Sequence, residues 1–212
     1  MIATALAIGS RVICGATVRW HCDPHAVCRR IYFGNHSSHL DFIVIWSSLP
    51  ADLRRSTRPV AGQDYWERTR LRRYLAGHVF HAVLIDRATP GSNGANAGGR
   101  AAVERMSAGM SDGHSLIVFP EGTRSRDNAI GDFKSGLFHL SRLRPDAELI
   151  PVLLENLQRI LPKGETLPVP MLSRVVFGPP LTTRIDEEKH EFLARARDAL
   201  IRLKENSDEP LD

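Results

Sequence analysis

Short apolar runs alternate along the chain with longer stretches in which apolar positions return at three- and four-residue spacing. The first pattern suits buried strands and the second amphipathic helices. Strands are expected at 31–33, 58–61, 81–85, 115–119, 148–154 and 174–177. Helices fall between most of them, at 40–48, 64–76, 95–108, 135–144 and 187–205. The Gly98-Gly99 pair weakens the third of these helices, because glycine gives up the most backbone freedom on ordering. The stretch from Gln158 to Leu172, with Pro162, Pro168 and Pro170, reads as an ordered irregular loop before the last strand. Alternation of this kind predicts an α/β fold: a single domain with a central, mostly parallel sheet flanked by helices. At 212 residues the chain can bury a sizeable core, and neither an internal repeat nor a low-complexity linker divides it.

Residues 1–18 are apolar and rich in small side chains, and they predict an apolar N-terminal helix. Arg11 interrupts the run well short of the ~20 apolar residues needed to cross a bilayer. The segment also lacks the basic start of a secretory signal. Two placements stay open: packing on the domain, or lying in the plane of a membrane interface. On this reading residues 1–20 form a separate apolar segment and residues 21–212 the globular domain.

A net charge of +4 and a pI near 9.2 favour anionic partners such as lipid headgroups and other phosphates. Arginines gather at Arg54, Arg55 and Arg58, and again at Arg68, Arg70, Arg72 and Arg73 on a helix that also carries Tyr65, Trp66 and Tyr74. That face is either a solvated surface or a docking face for phosphates or lipid. No RNA- or DNA-binding module accompanies the charge, so a nucleic-acid role is set aside. Cys14, Cys22 and Cys28 are odd in number and lack C-x-x-C spacing, which indicates reduced thiols rather than a disulfide framework. His21 and His25 beside them fit no familiar ligand spacing, so neither a metal nor another cofactor is expected.

Two segments carry candidate chemistry. The first, Asn35-His36-Ser37-Ser38-His39-Leu40-Asp41, sits where a short strand gives way to a helix. Four residues separate His36 from Asp41, so a loop histidine can meet a carboxylate in the first turn of the next helix. An anionic Asp41 that accepts a proton from one ring nitrogen fixes the tautomer and leaves the other nitrogen to take a proton from a hydroxyl. His36 is therefore the candidate general base and Asp41 its orienter. Ser38 is expected to cap the helix. A rival in which Ser37 or Ser38 becomes acylated lacks the Gly-x-Ser-x-Gly elbow that presents such a serine. His39 reads as a packed or solvent-facing helix residue.

The second segment, Phe119-Pro120-Glu121-Gly122-Thr123-Arg124-Ser125, ends the strand that begins at Ser115. Proline stops the strand, Gly122 permits a turn, and Arg124 offers a planar fork suited to a phosphate or carboxylate. Backbone N–H groups near Gly122 are candidate donors to an oxyanion. Glu121 has two readings, as a local acceptor of backbone hydrogen bonds or as a direct contact to an acceptor molecule.

Together these segments resemble the first and third sequence blocks of the 1-acylglycerol-3-phosphate acyltransferase family. Leu84-Ile85-Asp86-Arg87 resembles the family's second block and Leu149-Ile150-Pro151-Val152 its fourth, all in the family's order over approximately residues 31–180. Four ordered blocks are far more specific than any one of them. The resemblance implies transfer of a fatty acyl group from an acyl-coenzyme A or acyl-carrier-protein thioester, the co-substrate, to a hydroxyl of a lysophospholipid. The leading acceptor is 1-acylglycerol-3-phosphate. His36 would be the base, Asp41 its orienter, and Arg87, Glu121, Gly122, Thr123 and Arg124 substrate-binding residues. Lys134, just beyond the third block, is either a positive charge near the thioester's phosphates or an ordinary exposed lysine. Asp86 is more simply an ion-pair partner than a catalytic group. The resemblance also implies an enzyme at the cytoplasmic face of a membrane, peripheral or monotopic, with residues 21–212 as its glycerolipid acyltransferase domain. Two alternatives stay open: another acceptor such as a lyso-ornithine lipid, and a non-catalytic lipid-binding protein of the same fold. The intact His36/Asp41 pair argues against the latter.

Overall fold

A computed structural model of the chain describes residues 2–26, 29–38, 40–86, 95–125, 129–160 and 172–207. Along them run helix α1 (Ile2–Cys14), strands β1 (Thr17–Trp20) and β2 (Arg30–Gly34), helices α2 (Asp41–Ser48) and α3 (Ala51–Arg55), and strand β3 (Thr57–Gly62). Short helices α4 (Gln63–Trp66) and α5 (Arg70–Tyr74) follow, and a π turn at Leu75–Val79 leads to β4 (Val83–Ile85). The second half holds α6 (Ala95–Gly109), β5 (Ser115–Val118), α7 (Gly136–Leu143), β6 (Glu148–Glu155), α8 (Leu157–Ile160), β7 (Arg174–Phe177) and α9 (Lys189–Ser207).

The seven strands form one sheet in the order β1-β7-β6-β2-β5-β3-β4. Every neighbouring pair is parallel except β6 and β7, which run antiparallel. Both faces are covered, which is why the central strands read as unbroken apolar runs rather than as alternating ones. Ile31, Phe33, Leu116, Val118, Leu149 and Leu153 point to one face, where Met106, Leu140, Phe192, Ala196 and Leu200 of α6, α7 and α9 pack. Tyr32, Ile117, Ile150, Val152 and Leu154 point to the other, against Ala7, Ile45, Trp46 and Leu157 from α1, α2 and α8. This is the α/β sheet, mostly parallel and with an apolar N-terminal helix, that the patterning predicts. Gly98 and Gly99 do not interrupt α6.

Three expectations need correction. The N-terminal helix ends at Cys14, because Gly15 takes a left-handed φ of 46° and the residues that follow, Thr17 and Val18, favour an extended chain. Residues 17–20 then pair with β7, so a boundary at residue 20 would cut behind a strand that belongs to the sheet. The helix expected at 64–76 is broken, since Thr69 is extended and its Oγ accepts from the Arg72 N–H at 3.2 Å, starting α5 afresh. Ser38 is not a helix cap: α2 starts at Asp41, and the Ser38 Oγ instead accepts from the Leu40 N–H. The proline-rich stretch lies mostly outside the described residues, apart from α8 at its start.

The sheet's connections define a crevice. The crossover from β2 to β3 lays α2 on one face, and the crossover from β5 to β6 lays α7 on the other. The loops leaving the adjacent carboxyl ends of β2 and β5 therefore part in opposite directions, the arrangement in which open α/β sheets bind ligands. Asn35, just past β2, extends that strand with its side chain: the amide donates to the Leu154 carbonyl at 2.9 Å and accepts from the Leu154 N–H at 2.8 Å. Asn35→Ala would leave both buried Leu154 groups unpaired, and it should cost about 2–4 kcal/mol in urea unfolding. A loss below about 0.5 kcal/mol would show that this pairing is dispensable.

Candidate active site

The first segment folds around one buried carboxylate. Asp41 is the first residue of α2 and fully inaccessible to solvent. Its Oδ2 accepts from the backbone N–H groups of Ser37 at 2.6 Å and Ser38 at 2.8 Å, and lies 2.8 Å from Nδ1 of His36. Three polar contacts converge on that one oxygen, at the positive end of a helix. An ionised Asp41 only accepts, so Nδ1 of His36 carries the proton and Nε2 presents a lone pair. The other oxygen, Oδ1, is buried and has no hydrogen-bond partner among the described residues. Ser37 and Ser38 are themselves buried, and their N–H groups serve the loop.

The second segment grips the main chain of His36. Glu121 Oε1 accepts from the His36 N–H at 2.9 Å, and the Ser125 N–H donates to the His36 carbonyl at 2.8 Å. The imidazole stacks on the Phe119 ring, with centroids 4.4 Å apart and planes 17° from parallel. The two segments picked out in the sequence are thus one structural unit, brought together because β2 and β5 are neighbours in the sheet.

Glu121 also accepts, through Oε2, from the Gly131 N–H at 3.2 Å. Both of its oxygens are engaged by backbone donors and the residue is buried, which favours the first of its two readings, a local tie. Burial raises the Glu121 carboxyl above its usual range, with the two backbone N–H groups pulling the other way. Gly122 has a φ of 70°, and a Cβ there would come within 2.7 Å of Lys134 Nζ, so the Lys134 side chain lies directly over the turn. The Gly122 N–H donates to the Phe119 carbonyl at 3.0 Å and is taken up within the turn, so it is not the free oxyanion donor expected of it. Thr123 is exposed at the loop rim and Lys134 is exposed beside it.

A cleft of about 290 Å³ opens beside the imidazole, lined by His36, Phe42, Val60, Gly62, Trp66, Phe119 and Arg124 among others. Aromatic and aliphatic groups share its lining with the polar side chains of His36, Asp64, Tyr65, Arg68 and Arg124, so the cleft is more polar than apolar. The Nη1 of Arg124 is buried and has no acceptor among the described residues. A buried guanidinium nitrogen without an acceptor carries a desolvation cost. Arg87 and His39 lie outside the described residues, as does Cys28. Asp86 is exposed and lines an adjoining cleft with Asp64, Glu67 and Arg68. The Cys14 thiol is buried, and burial pushes it up to about 11, so it is a neutral core group. No group of three His, Cys, Asp or Glu side chains among the described residues could hold a metal ion.

Residues 27–155 match the family model for Acyltransferase. The chain belongs to the Acyltransferase family. A 1-acyl-sn-glycerol-3-phosphate acyltransferase from Limnanthes douglasii is 29% identical over 181 residues, covering 81% of this chain and 57% of its own length. Its counterpart from Limnanthes alba is 28% identical over 179 residues, covering 80% of this chain and 56% of its own. The chain thus spans a little over half the length of these curated relatives. Its fold superposes with a TM-score of 0.73 on the crystal structure of the 1-acyl-sn-glycerophosphate (LPA) acyltransferase PlsC from Thermotoga maritima. That match covers 100% of this chain and 80% of the other at 18% identity.

His36, Asp41 and the Glu121–Arg124 loop, all picked out in the sequence, are brought together here, whereas Gly131 and Arg197 were missed. Arg197 of α9 donates to the Ile130 carbonyl from Nη2 at 2.8 Å and from Nε at 3.1 Å, and to the Gly131 carbonyl from Nε at 3.2 Å. No motif spacing flags either residue, since each acts through a main-chain group distant in sequence. The raised Glu121 carboxyl sets a pH dependence. Between its ordinary value of 4.5 and its raised one, the folded chain holds a proton that the unfolded chain has released, so this group's contribution to stability falls as pH rises through that window. On going from neutral pH down to 4.5, wild type should therefore gain stability relative to Glu121→Gln in urea unfolding. A difference that does not move with pH would show that the group titrates normally.

Proposed function

We propose that this protein transfers a fatty acyl group from an acyl-coenzyme A or acyl-carrier-protein thioester to the free hydroxyl of a lysophospholipid, with 1-acylglycerol-3-phosphate the leading acceptor. The observation that carries this reading is an imidazole fixed by a buried carboxylate on the wall of a cleft that Arg124 also lines. His36 Nε2 takes the hydroxyl proton as the acceptor oxygen attacks the thioester carbonyl. The tetrahedral intermediate collapses, the carbon–sulfur bond breaks, and the His36 proton passes to the departing thiolate, leaving the ester. Asp41 keeps the ring in the productive tautomer and balances the imidazolium that forms. Arg124 holds the acceptor's phosphate, with Arg87 as its partner, so that the hydroxyl is presented rather than captured by chance. Thr123 and Lys134 stand at the rim, where Lys134 adds positive charge for the donor's phosphates.

The chemistry needs no bound cofactor beyond the thioester, and the partners are the thioester donor, the lysophospholipid and a membrane surface, with no nucleic acid. The plant relatives, both 1-acyl-sn-glycerol-3-phosphate acyltransferases by name, support the acceptor. On α1, Ile2, Ile8, Val12 and Ile13 are exposed while Ala7 and Cys14 face the core, which supports a peripheral or monotopic placement at the cytoplasmic face of a membrane. Among the described residues no helix is long and apolar enough to cross a bilayer.

The decisive measurement supplies purified protein with labelled acyl thioester and a panel of acceptors, including lysophosphatidate, a lyso-ornithine lipid and a neutral lipid alcohol. His36→Ala should lower kcat by about 10²–10⁴-fold, the span of general-base catalysis. Undiminished transfer by that variant would sink the mechanism. Wild-type binding without transfer to any acceptor would instead favour a lipid-binding protein. Arg124→Ala should raise KM roughly tenfold or more for phosphate-bearing acceptors and leave the neutral one nearly unchanged. Equal losses on all acceptors would remove Arg124 from the phosphate site.

A further inference from the structure

Arg197 lies on α9, outside the residues matched by the family model, yet it reaches the loop that holds His36. The connection runs through a single peptide plane. The carbonyl of Ile130 accepts two hydrogen bonds from Arg197, and the N–H of the same peptide, that of Gly131, donates to Glu121 Oε2. Glu121 Oε1 then accepts from the His36 N–H. A flip of the 130–131 peptide would lose the bonds at both of its ends together. A cationic donor on the carbonyl also polarises the peptide and strengthens its N–H as a donor to the carboxylate. The plane is further pinned because Ile130 is buried in the core and a Cβ at Gly131 would come within 3.0 Å of Glu121 Oε2.

We infer that Arg197 is a positioning residue for acyl transfer, locking the 130–131 peptide so that Glu121 keeps the His36 backbone in register with Asp41 and the cleft. The inference rests on His36 being the base. Arg197 touches neither donor nor acceptor. Its loss lowers the fraction of molecules in which Nε2 is aimed, and leaves binding of both substrates in place.

The test compares Arg197→Met, Arg197→Lys and Arg202→Met, the last an exposed residue of the same helix, by steady-state kinetics and amide hydrogen exchange. Arg197→Met should lower kcat about tenfold or more with both KM values within about twofold, in keeping with the cost of a small misplacement of a catalytic group. The His36 and Gly131 amides should exchange faster while those of β6 do not. Arg197→Lys should recover part of kcat, and guanidinium ion added at sub-denaturing concentration should restore activity to Arg197→Met. Arg202→Met should match wild type. Wild-type kcat and exchange in Arg197→Met overturn the inference, as does a loss that raises both KM values and ignores guanidinium. If His36→Ala keeps full transfer, the assigned base fails and this inference with it. If His36→Ala is inactive while Arg197→Met matches wild type, the inference alone fails.

Discussion

A single carboxylate oxygen organises the site. Oδ2 of Asp41 has no solvent and draws its hydrogen bonds from Ser37, Ser38 and the His36 ring. A buried charge is tolerable only when donors surround it, so the chain from His36 to Asp41 must wrap tightly enough to bring two successive N–H groups onto one atom. That wrapping sets the direction of the imidazole. The dipole of α2 adds to the same end, since Asp41 occupies the first turn.

A second buried carboxylate has a different task. Glu121 binds no cation among the described contacts and instead joins three stretches of main chain: its own loop, the segment before α2 and the segment before α7. The two acids differ because their partners differ. Asp41 holds a titratable ring, whereas Glu121 holds only backbone, and desolvation dominates its titration. The geometry around His36 therefore depends on the sheet, which sets β2 beside β5, and on α9, whose Arg197 reaches the third stretch.

Much of this was legible in the amino-acid sequence. The six expected strands lie in the sheet, because strands covered on both faces read as dense apolar runs. β1 was hidden, since Val18 and Trp20 continue an apolar stretch that begins as a helix, and only the φ of Gly15 separates the two. The break within 64–76 was hidden as well: Thr69 sits among helix-forming arginines, and its capping role shows only in its backbone. At the site, His36, Asp41 and Arg124 were readable because titratable and charged side chains at recognisable spacing mark them in the sequence. Asn35, Gly131 and Arg197 were not, because each contact joins a side chain to a main-chain group elsewhere in the chain, and such contacts leave no local pattern.

The loop around residue 36 is held by its main chain, through the bonds to Glu121 and Ser125, and by the Ser37 and Ser38 amides on Asp41, as well as by its ring. Four of these anchors survive when the ring is removed. A variant without the imidazole can thus keep the shape of the cleft beside it. Such a protein would separate the contribution of the ring from that of the fold, because the main-chain ties do not depend on the side chain at that position.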